Sequence, residues 1–195
     1  MPTSPEPPES AIHLSATAVK VLAHPLRSRL LSALRRGGPT TATALAEELD
    51  TNSGATSYHL RKLASVGLVE DTGEGEGRRR EWRAASRLHS WDASDFAEDE
   101  DATTALNWLM RDYLTQFVAR YQDWLNVEDT WPLAWRDAVG SSDDLVVGTP
   151  EQLDAMRHEI WDVIQRYRKA GSDDPEARAI AVHFTTFPRD PRATS

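Results

Sequence analysis

The sequence predicts a mainly helical α+β protein: a helical N-terminal region ending in a short hairpin, a long connecting helix and a small C-terminal α/β module. Three observations support this fold class. Apolar residues recur at steps of three and four through most of the chain, which is typical of amphipathic helices. Short apolar or alternating segments near residues 68–83 and 179–187 are typical of strands. A stretch of more than 20 residues starting near 104 has a broad apolar face that needs a packing partner.

The net charge of −9 is distributed unevenly along the 195 residues. Residues 1–90 hold 12 Lys and Arg against 10 Asp and Glu, whereas residues 91–195 hold 10 against 21. The first part is therefore at +2 and the second at −11, so only the first part is suited to face phosphates. The lack of cysteine excludes disulfides and thiolate metal sites. With no apolar run of about 18 residues to span a membrane, these features predict a cytoplasmic protein.

Composition and pattern divide the chain into five segments. They are a proline-rich disordered tail (1–10), a helical domain with a hairpin (11–88), an acidic linker with a long helix (89–127), an α/β module (128–190) and a short tail (191–195). In the helical domain, a first helix is expected from Ile12, and His24-Pro25 ends it. A second helix then runs to the glycines at 37 and 38, and Thr41 can cap a third.

A turn at residues 50–54 separates that third helix from a fourth, predicted at residues 54–66. Leu60, Leu63 and Ala64 form the apolar stripe of this fourth helix. The opposite stripe contains Gly54, Ser57, Tyr58 and Arg61. An ordinary solvated face is the alternative interpretation, but no acidic residue lies between positions 50 and 70. The pattern fits a helix-turn-helix whose second helix enters the DNA major groove.

A glycine-rich segment at residues 71–80 lies between two short predicted strands, 68–70 and 81–83. It ends in Arg78, Arg79 and Arg80. A hairpin that follows a recognition helix is a wing, and these arginines would bind phosphates or enter the minor groove. A solubilising charged loop is the alternative, which Glu74 and Glu76 favour.

The stretch SGATSYHLRKLASVGLVE, after HPLRSRLLSAL and before the Gly/Arg hairpin, resembles the winged helix-turn-helix of ArsR-type bacterial repressors over about residues 12–88. The resemblance implies that Ser57, Tyr58 and Arg61 face the bases, while Lys62 and the wing arginines contact the backbone. The full predicted DNA-binding set is Asn52, Ser53, Ser57, Tyr58, His59, Arg61, Lys62, Arg78, Arg79 and Arg80. A packed, non-contacting role for His59 is equally open.

Neither a metal site nor an enzyme is expected. The metal-sensing members of the resembled family use cysteines or His/Asp/Glu sets, and here His158 and Asp162 supply only two ligands one turn apart. His183, His158 and Glu159 are the best catalytic candidates. No phosphate-binding loop, nucleophile elbow or metal signature accompanies them. No cofactor is predicted.

The long helix carries the predicted dimerisation residues, which repeat at helical spacing. They are Leu106, Met110, Tyr113, Phe117 and Trp124. Dimerisation is the natural use of such a helix, because dimers read two half-sites about 34–36 Å apart. Beyond it, strands are predicted at 133–139, 145–148 and 179–187, with a helix that starts at Thr149-Pro150.

Six of the seven tryptophans lie after residue 90. They build either a core and dimer interface or the lining of a small-molecule effector pocket. As a whole, the sequence predicts a homodimeric transcriptional regulator, a repressor, that binds double-stranded DNA at a dyad-symmetric operator. A winged helix used only for protein interaction is the alternative.

Overall fold

The computed structural model describes residues 11–75 and 80–189. The chain divides into two compact units, Met1–Gln122 and Asp123–Ser195. The predicted tails at 1–10 and 191–195 lie outside the described residues, as do the wing positions 76–79. Among the described helices, none is both long enough and apolar enough to cross a membrane.

The first unit begins with a short strand rather than with the helix predicted from Ile12. Strand β1 (Ala11–His13) pairs in parallel with β5 (Leu88–Ser90), so its backbone is extended by a partner 77 residues away. Helix α1 (Ala16–Leu22) starts only after Ser15, whose hydroxyl accepts a hydrogen bond from the Ala18 amide. Helix α2 (Pro25–Gly37) has the predicted proline in its first turn, and Gly38, at φ 80°, ends it.

The predicted helix-turn-helix is present as α3 (Ala42–Glu48) and α4 (Ser53–Ala64). Each helix is capped at its N-terminus by a side-chain oxygen. Thr41 Oγ1 accepts a hydrogen bond from the Ala44 amide at 3.2 Å, and Asn52 Oδ1 accepts one from the Ala55 amide at 2.7 Å. Asp50, at φ 50°, makes the turn between the two helices. These local signals explain why the sequence located both helices within one or two residues.

A three-stranded antiparallel sheet lies beside the helix-turn-helix. Its order is β2 (Thr40–Thr41), β4 (Glu81–Ala84), β3 (Val69–Asp71). Strands β3 and β4 form the predicted hairpin, and Trp82 on β4 is buried in the core. The sequence did not indicate β2, a two-residue strand that exists because Thr40 pairs with Trp82.

Helix α5 (Glu100–Leu125) follows a 3-10 turn (Ala93–Phe96), and its first half completes the core of the first unit. Phe96, Ala102 and Leu109 are fully buried there together with leucines from the earlier helices. The first unit is thus a winged helix-turn-helix closed by the start of the long helix.

The second unit differs from the predicted α/β module. It contains a 3-10 turn (Glu128–Thr130), helix α6 (Leu133–Ala138) and helix α7 (Pro150–Tyr167). The predicted start of α7 is confirmed, since Thr149 and Gln152 form a capping box.

The three strands predicted for this second unit are wrong. Residues 133–138 are helical, and residues 145–148 and 179–187 have no strand assignment. The alternating pattern had indicated strands, but a strand also needs a hydrogen-bonded neighbour, and neither segment has one among the described residues. No described residue of this unit is fully buried.

Candidate nucleic-acid interface

Helix α4 presents a polar face opposite its buried stripe. Leu60 and Leu63 are fully buried, whereas Arg61 and Lys62 are exposed on the other side and Tyr58 is 51% exposed. The Lys62 ammonium lies 5.8 Å from the centre of the Tyr58 ring, which is cation–π distance. Helical spacing alone therefore places a phenol and two cations on one outward-facing surface.

This face continues into a cleft between α3, α4 and the wing. The cleft has a volume of about 280 Å³ and is lined by Thr41, Ala42, Thr43, Ser53, Ser57, Arg61, Arg80 and Trp82. Among the described residues its polar lining consists of hydroxyls, the Trp82 indole and two guanidinium groups, without an acidic side chain. Such groups donate hydrogen bonds to phosphate oxygens and to the acceptor edges of bases. The structure thus brings four of the predicted residues together, namely Ser53, Ser57, Arg61 and Arg80.

Four lining residues, Thr41, Ala42, Thr43 and Trp82, were not in the predicted set, and two of them, Thr41 and Thr43, carry hydroxyls. Thr41 was identified from the sequence only as a helix cap, and nothing in the local pattern singled out Thr43. Both reach the cleft because β2 pairs with β4 and brings the start of α3 next to the wing. The two threonines are thus brought to the cleft by pairing between distant strands, which the sequence pattern did not indicate.

Arg80 is the one wing arginine within the described residues, since Arg78 and Arg79 lie outside them. Its guanidinium Nη1 is 3.5 Å from the Asp71 carboxylate across the base of the hairpin, and its side chain is 66% exposed. An exposed ion pair of this kind contributes little to stability, about 0–1 kcal/mol. Arg80 can therefore exchange this partner for a phosphate at small cost.

His59 lies behind the exposed face rather than on it. Its ring centre is 4.4 Å from that of His24 and 5.1 Å from that of Tyr58, at the N-terminal end of α2. Burial lowers the pKa of His59, and nearby His24 and Arg27 lower it further. His59 is thus half-buried between His24 and Tyr58, and its lowered pKa favours the neutral form.

Asn52 has a structural task, because its side-chain oxygen already caps α4. Replacing Asn52 with alanine is expected to lower the free energy of unfolding by about 0.5–2 kcal/mol, since the Ala55 amide loses its acceptor. Urea unfolding followed by tryptophan fluorescence would measure the change. Asn52→Ser is the matched control, because serine retains a capping oxygen. Equal destabilisation by both substitutions would contradict the capping role.

The residues predicted for dimerisation lie in different surroundings. Leu106, Met110 and Tyr113 are half-buried against the core of their own unit. Phe117 stacks on Tyr121 at 6.0 Å between ring centres. In the second unit, Trp124 contacts Trp131 edge-on at 5.4 Å. The exposed apolar side chains of α5 in the first unit are instead Trp108, Leu114, Val118 and Tyr121.

One group of three potential metal ligands occurs among the described residues: His13, Asp92 and Asp95, all exposed. His13 Nε2 is 2.7 Å from Asp95 Oδ2, and the same oxygen accepts a hydrogen bond from the Asp92 amide at 3.0 Å. Both hydrogen bonds lower the pKa of Asp95, and the one from the Asp92 backbone amide has a larger effect than the one from His13. The cluster is accounted for by a helix cap and an ion pair.

Comparison with known proteins agrees with this architecture. Residues 22–72 match the family described as a helix-turn-helix domain. Among curated proteins, none matches the chain. One solved structure that matches the chain comes from Mycobacterium bovis and is 27% identical to it. It is the homodimeric winged helix-turn-helix DNA-binding domain of a possible ArsR-family transcriptional regulator. The match covers 54% of this chain and 77% of that one. Its TM-score of 0.33 is too low for the superposition to carry an argument. The predicted helix-turn-helix is confirmed by the family match.

Proposed function

We propose that this chain, which carries a helix-turn-helix domain of the kind found in DNA-binding transcription regulators, is a sequence-specific, homodimeric repressor that reads a dyad-symmetric operator. The observation that carries the proposal is the continuous surface of Ser57, Tyr58, Arg61 and Lys62 on α4 with Arg80 on the wing. This surface is exposed except for the half-buried Ser57 and is rich in hydrogen-bond donors, and none of the described residues that line the cleft is acidic.

In this proposal α4 lies in the major groove. Arg61 projects from its exposed face and can donate two parallel hydrogen bonds to a guanine, the commonest specific contact of an arginine. Ser57 and Tyr58, one turn earlier, face the neighbouring bases, while Lys62 and Arg80 contact phosphates. The hydroxyls of Thr43 and Ser53 supply further donors to the backbone at the edge of the cleft.

The homodimer is proposed because two half-sites require two copies of α4 held at a fixed spacing. Helix α5 offers an apolar stripe for this purpose. Leu114, Val118 and Tyr121 follow one another at helical spacing and are 55%, 42% and 38% exposed. Of the predicted set, Phe117 lies within this stretch of the helix and Trp124 lies further along it. A row of exposed large apolar side chains is costly in water, and a second copy would cover it.

Replacing Arg61 with alanine is expected to weaken operator binding by about 1–3 kcal/mol, or roughly 5- to 150-fold, and to relax specificity at one base pair of each half-site. A mobility-shift titration at fixed salt would measure this, using the DNA upstream of the gene and a shuffled duplex. The matched control is Arg111→Ala, which removes an exposed arginine on α5 away from the cleft. Binding that ignores sequence and is the same in both variants would overturn the proposal.

A winged helix used only for protein contacts is the second candidate, and the net charge of −9 favours it. The same titration separates the two. A protein-interaction module would not discriminate between the upstream DNA and the shuffled duplex at any salt concentration. A regulator would discriminate, and its affinity would fall as salt rises because phosphate contacts release counterions.

A further inference from the structure

Helix α5 is held on the winged helix-turn-helix by hydrogen bonds as well as by apolar packing. Ser28 on α2 is buried, and its hydroxyl donates to the Asp112 carboxylate on α5. The side-chain amide of Gln116, one turn further along α5, donates to the same Asp112 oxygen at 2.6 Å and to the Ser28 hydroxyl at 3.0 Å. Three side chains from two helices thus form one closed polar cluster.

A second polar cluster begins at the next residue of the helix. The Tyr113 hydroxyl is 2.9 Å from His89 Nε2 on β5, and Arg35 Nη1 on α2 is 2.8 Å from His89 Nδ1. Because a guanidinium can only donate, Nδ1 must accept, so the neutral imidazole has its proton on Nε2 and donates to the tyrosine oxygen. Arg35 Nε also donates to the Ser86 carbonyl at 3.0 Å. The cluster joins α2, β5 and α5 in a fixed order of donors and acceptors.

Adjacent residues of α5 are therefore fixed to two different points on α2, Ser28 in its first turns and Arg35 in its last turn. Apolar contacts are not directional, and a helix held by them alone can shift or rotate with little loss of buried area. Hydrogen bonds have narrow distance and angle ranges, so two clusters permit a single register and rotation. Buried polar groups are often no more stabilising than an apolar replacement, and fixing one arrangement is their best-attested use.

The position of α5 matters because the same helix carries the exposed stripe of Leu114, Val118 and Tyr121. In a dimer formed through that stripe, a small rotation of α5 against α2 would be carried to the recognition helix of each copy. The half-site spacing of about 34–36 Å tolerates little such error. The two polar clusters lie at the start of this stripe, where they can set its direction.

We infer that Asp112 and Tyr113 are positioning residues, which fix the angle between the dimer helix and the DNA-reading surface and so set the distance between the two copies of α4. This inference rests on the proposed function for its biological purpose. The distance between the two copies of α4 in the dimer can be measured without DNA.

The experiment uses the absence of cysteine from the chain. A Ser65→Cys substitution at the exposed end of α4 gives one spin label per protomer, and pulsed electron resonance then reports the label-to-label distance in the dimer. A single narrow distribution is expected in this background. Tyr113→Phe, which removes only the hydroxyl, and Asp112→Ala, which removes the acceptor shared by Ser28 and Gln116, are each expected to shift or broaden the distribution. Thr115→Ala, at an exposed position of the same helix, is expected to leave it unchanged.

The same proteins are then titrated with half-site and dyad duplexes of varied spacing. Tyr113→Phe and Asp112→Ala should keep half-site affinity within about twofold and lose about tenfold in discrimination between spacings. An unchanged narrow distribution in both folded variants would overturn the inference, as would the absence of a label-to-label distance. If the distances change as expected but the wild-type chain ignores DNA sequence, the proposed function fails and the positioning role remains.

Discussion

Replacing Leu60 with alanine is expected to lower the free energy of unfolding by about 2–5 kcal/mol. Leu60 is fully buried on α4, whose inner face packs against α1, α2 and α3. The substitution removes the apolar contacts of three heavy atoms and leaves a cavity that the three surrounding helices can only partly fill. A domain of this size has a total stability of about 5–15 kcal/mol, so a large share of it is at stake.

Urea unfolding monitored by tryptophan fluorescence would measure this loss, as a lower midpoint with an unchanged slope. Leu133→Ala is the matched control, because it deletes the same atoms from a side chain that is 67% exposed. That control is expected to change stability by no more than about 0.5 kcal/mol. Comparable losses in the two variants would mean that the inner face of α4 is not the packed surface described above.

The elements predicted well from the sequence are those whose signals are local. Thr41 and Asn52 begin helices by capping them. Helix α4 ends at Ala64, two residues before its predicted end, and Gly67, at φ 73°, lies in the turn that follows. The conformation at each of these positions depends on residues within one turn. The helix-turn-helix and the polar face of α4 follow from such signals together with apolar spacing.

The elements that were missed or wrong depend on a distant partner. Strand β1 exists because Leu88–Ser90 lies beside it, whereas residues 179–187, despite their alternating pattern, have no such neighbour within residues 11–75 and 80–189. The packing of the apolar stripe on α5 likewise depends on residues that are distant in the sequence. Apolar spacing correctly predicted a helix of more than 20 residues, but it could not indicate that Leu106 and Met110 pack within their own chain.

The half-buried polar residues that join the helices were the hardest to predict from the sequence. Arg35, His89 and Asp112 are far apart in the sequence and have no motif spacing, so nothing distinguishes them from ordinary surface residues. Their hydrogen bonds become apparent only when α2, β5 and α5 are brought together. Among these residues, His89 is expected to make the stability of the first unit depend on pH.

Acidification is expected to destabilise the first unit through His89. Burial, with a smaller contribution from the Arg35 charge, lowers the pKa of His89 from 6.5 to about 3. The unfolded chain therefore binds a proton near pH 6.5, whereas the folded chain does not until about pH 3. The contribution of neutral His89 to stability is complete above pH 6.5 and is lost as the pH falls from there towards 3.

The size of this effect follows from the shift. Each pH unit within the window costs up to about 1.4 kcal/mol, so the full loss is at most about 4–5 kcal/mol. Protonation is opposed at Nδ1, because this nitrogen already accepts a hydrogen bond from Arg35 and would become a donor facing a cation. The Tyr113 hydroxyl cannot compensate by ionising, since burial raises its pKa.

His89→Gln isolates this contribution, because a glutamine amide can still accept from Arg35 and donate to Tyr113 but does not titrate. Urea unfolding at steps from pH 7.5 to pH 4.5 would compare the two proteins. Burial also lowers the pKa values of His24 and His59, so both proteins are expected to lose stability in acid. The wild-type chain should lose more by up to about 1.4 kcal/mol per pH unit. Parallel pH profiles would mean that the pKa of His89 is the same in the folded and unfolded chains, and would contradict the proposed cost of protonating Nδ1 beside Arg35.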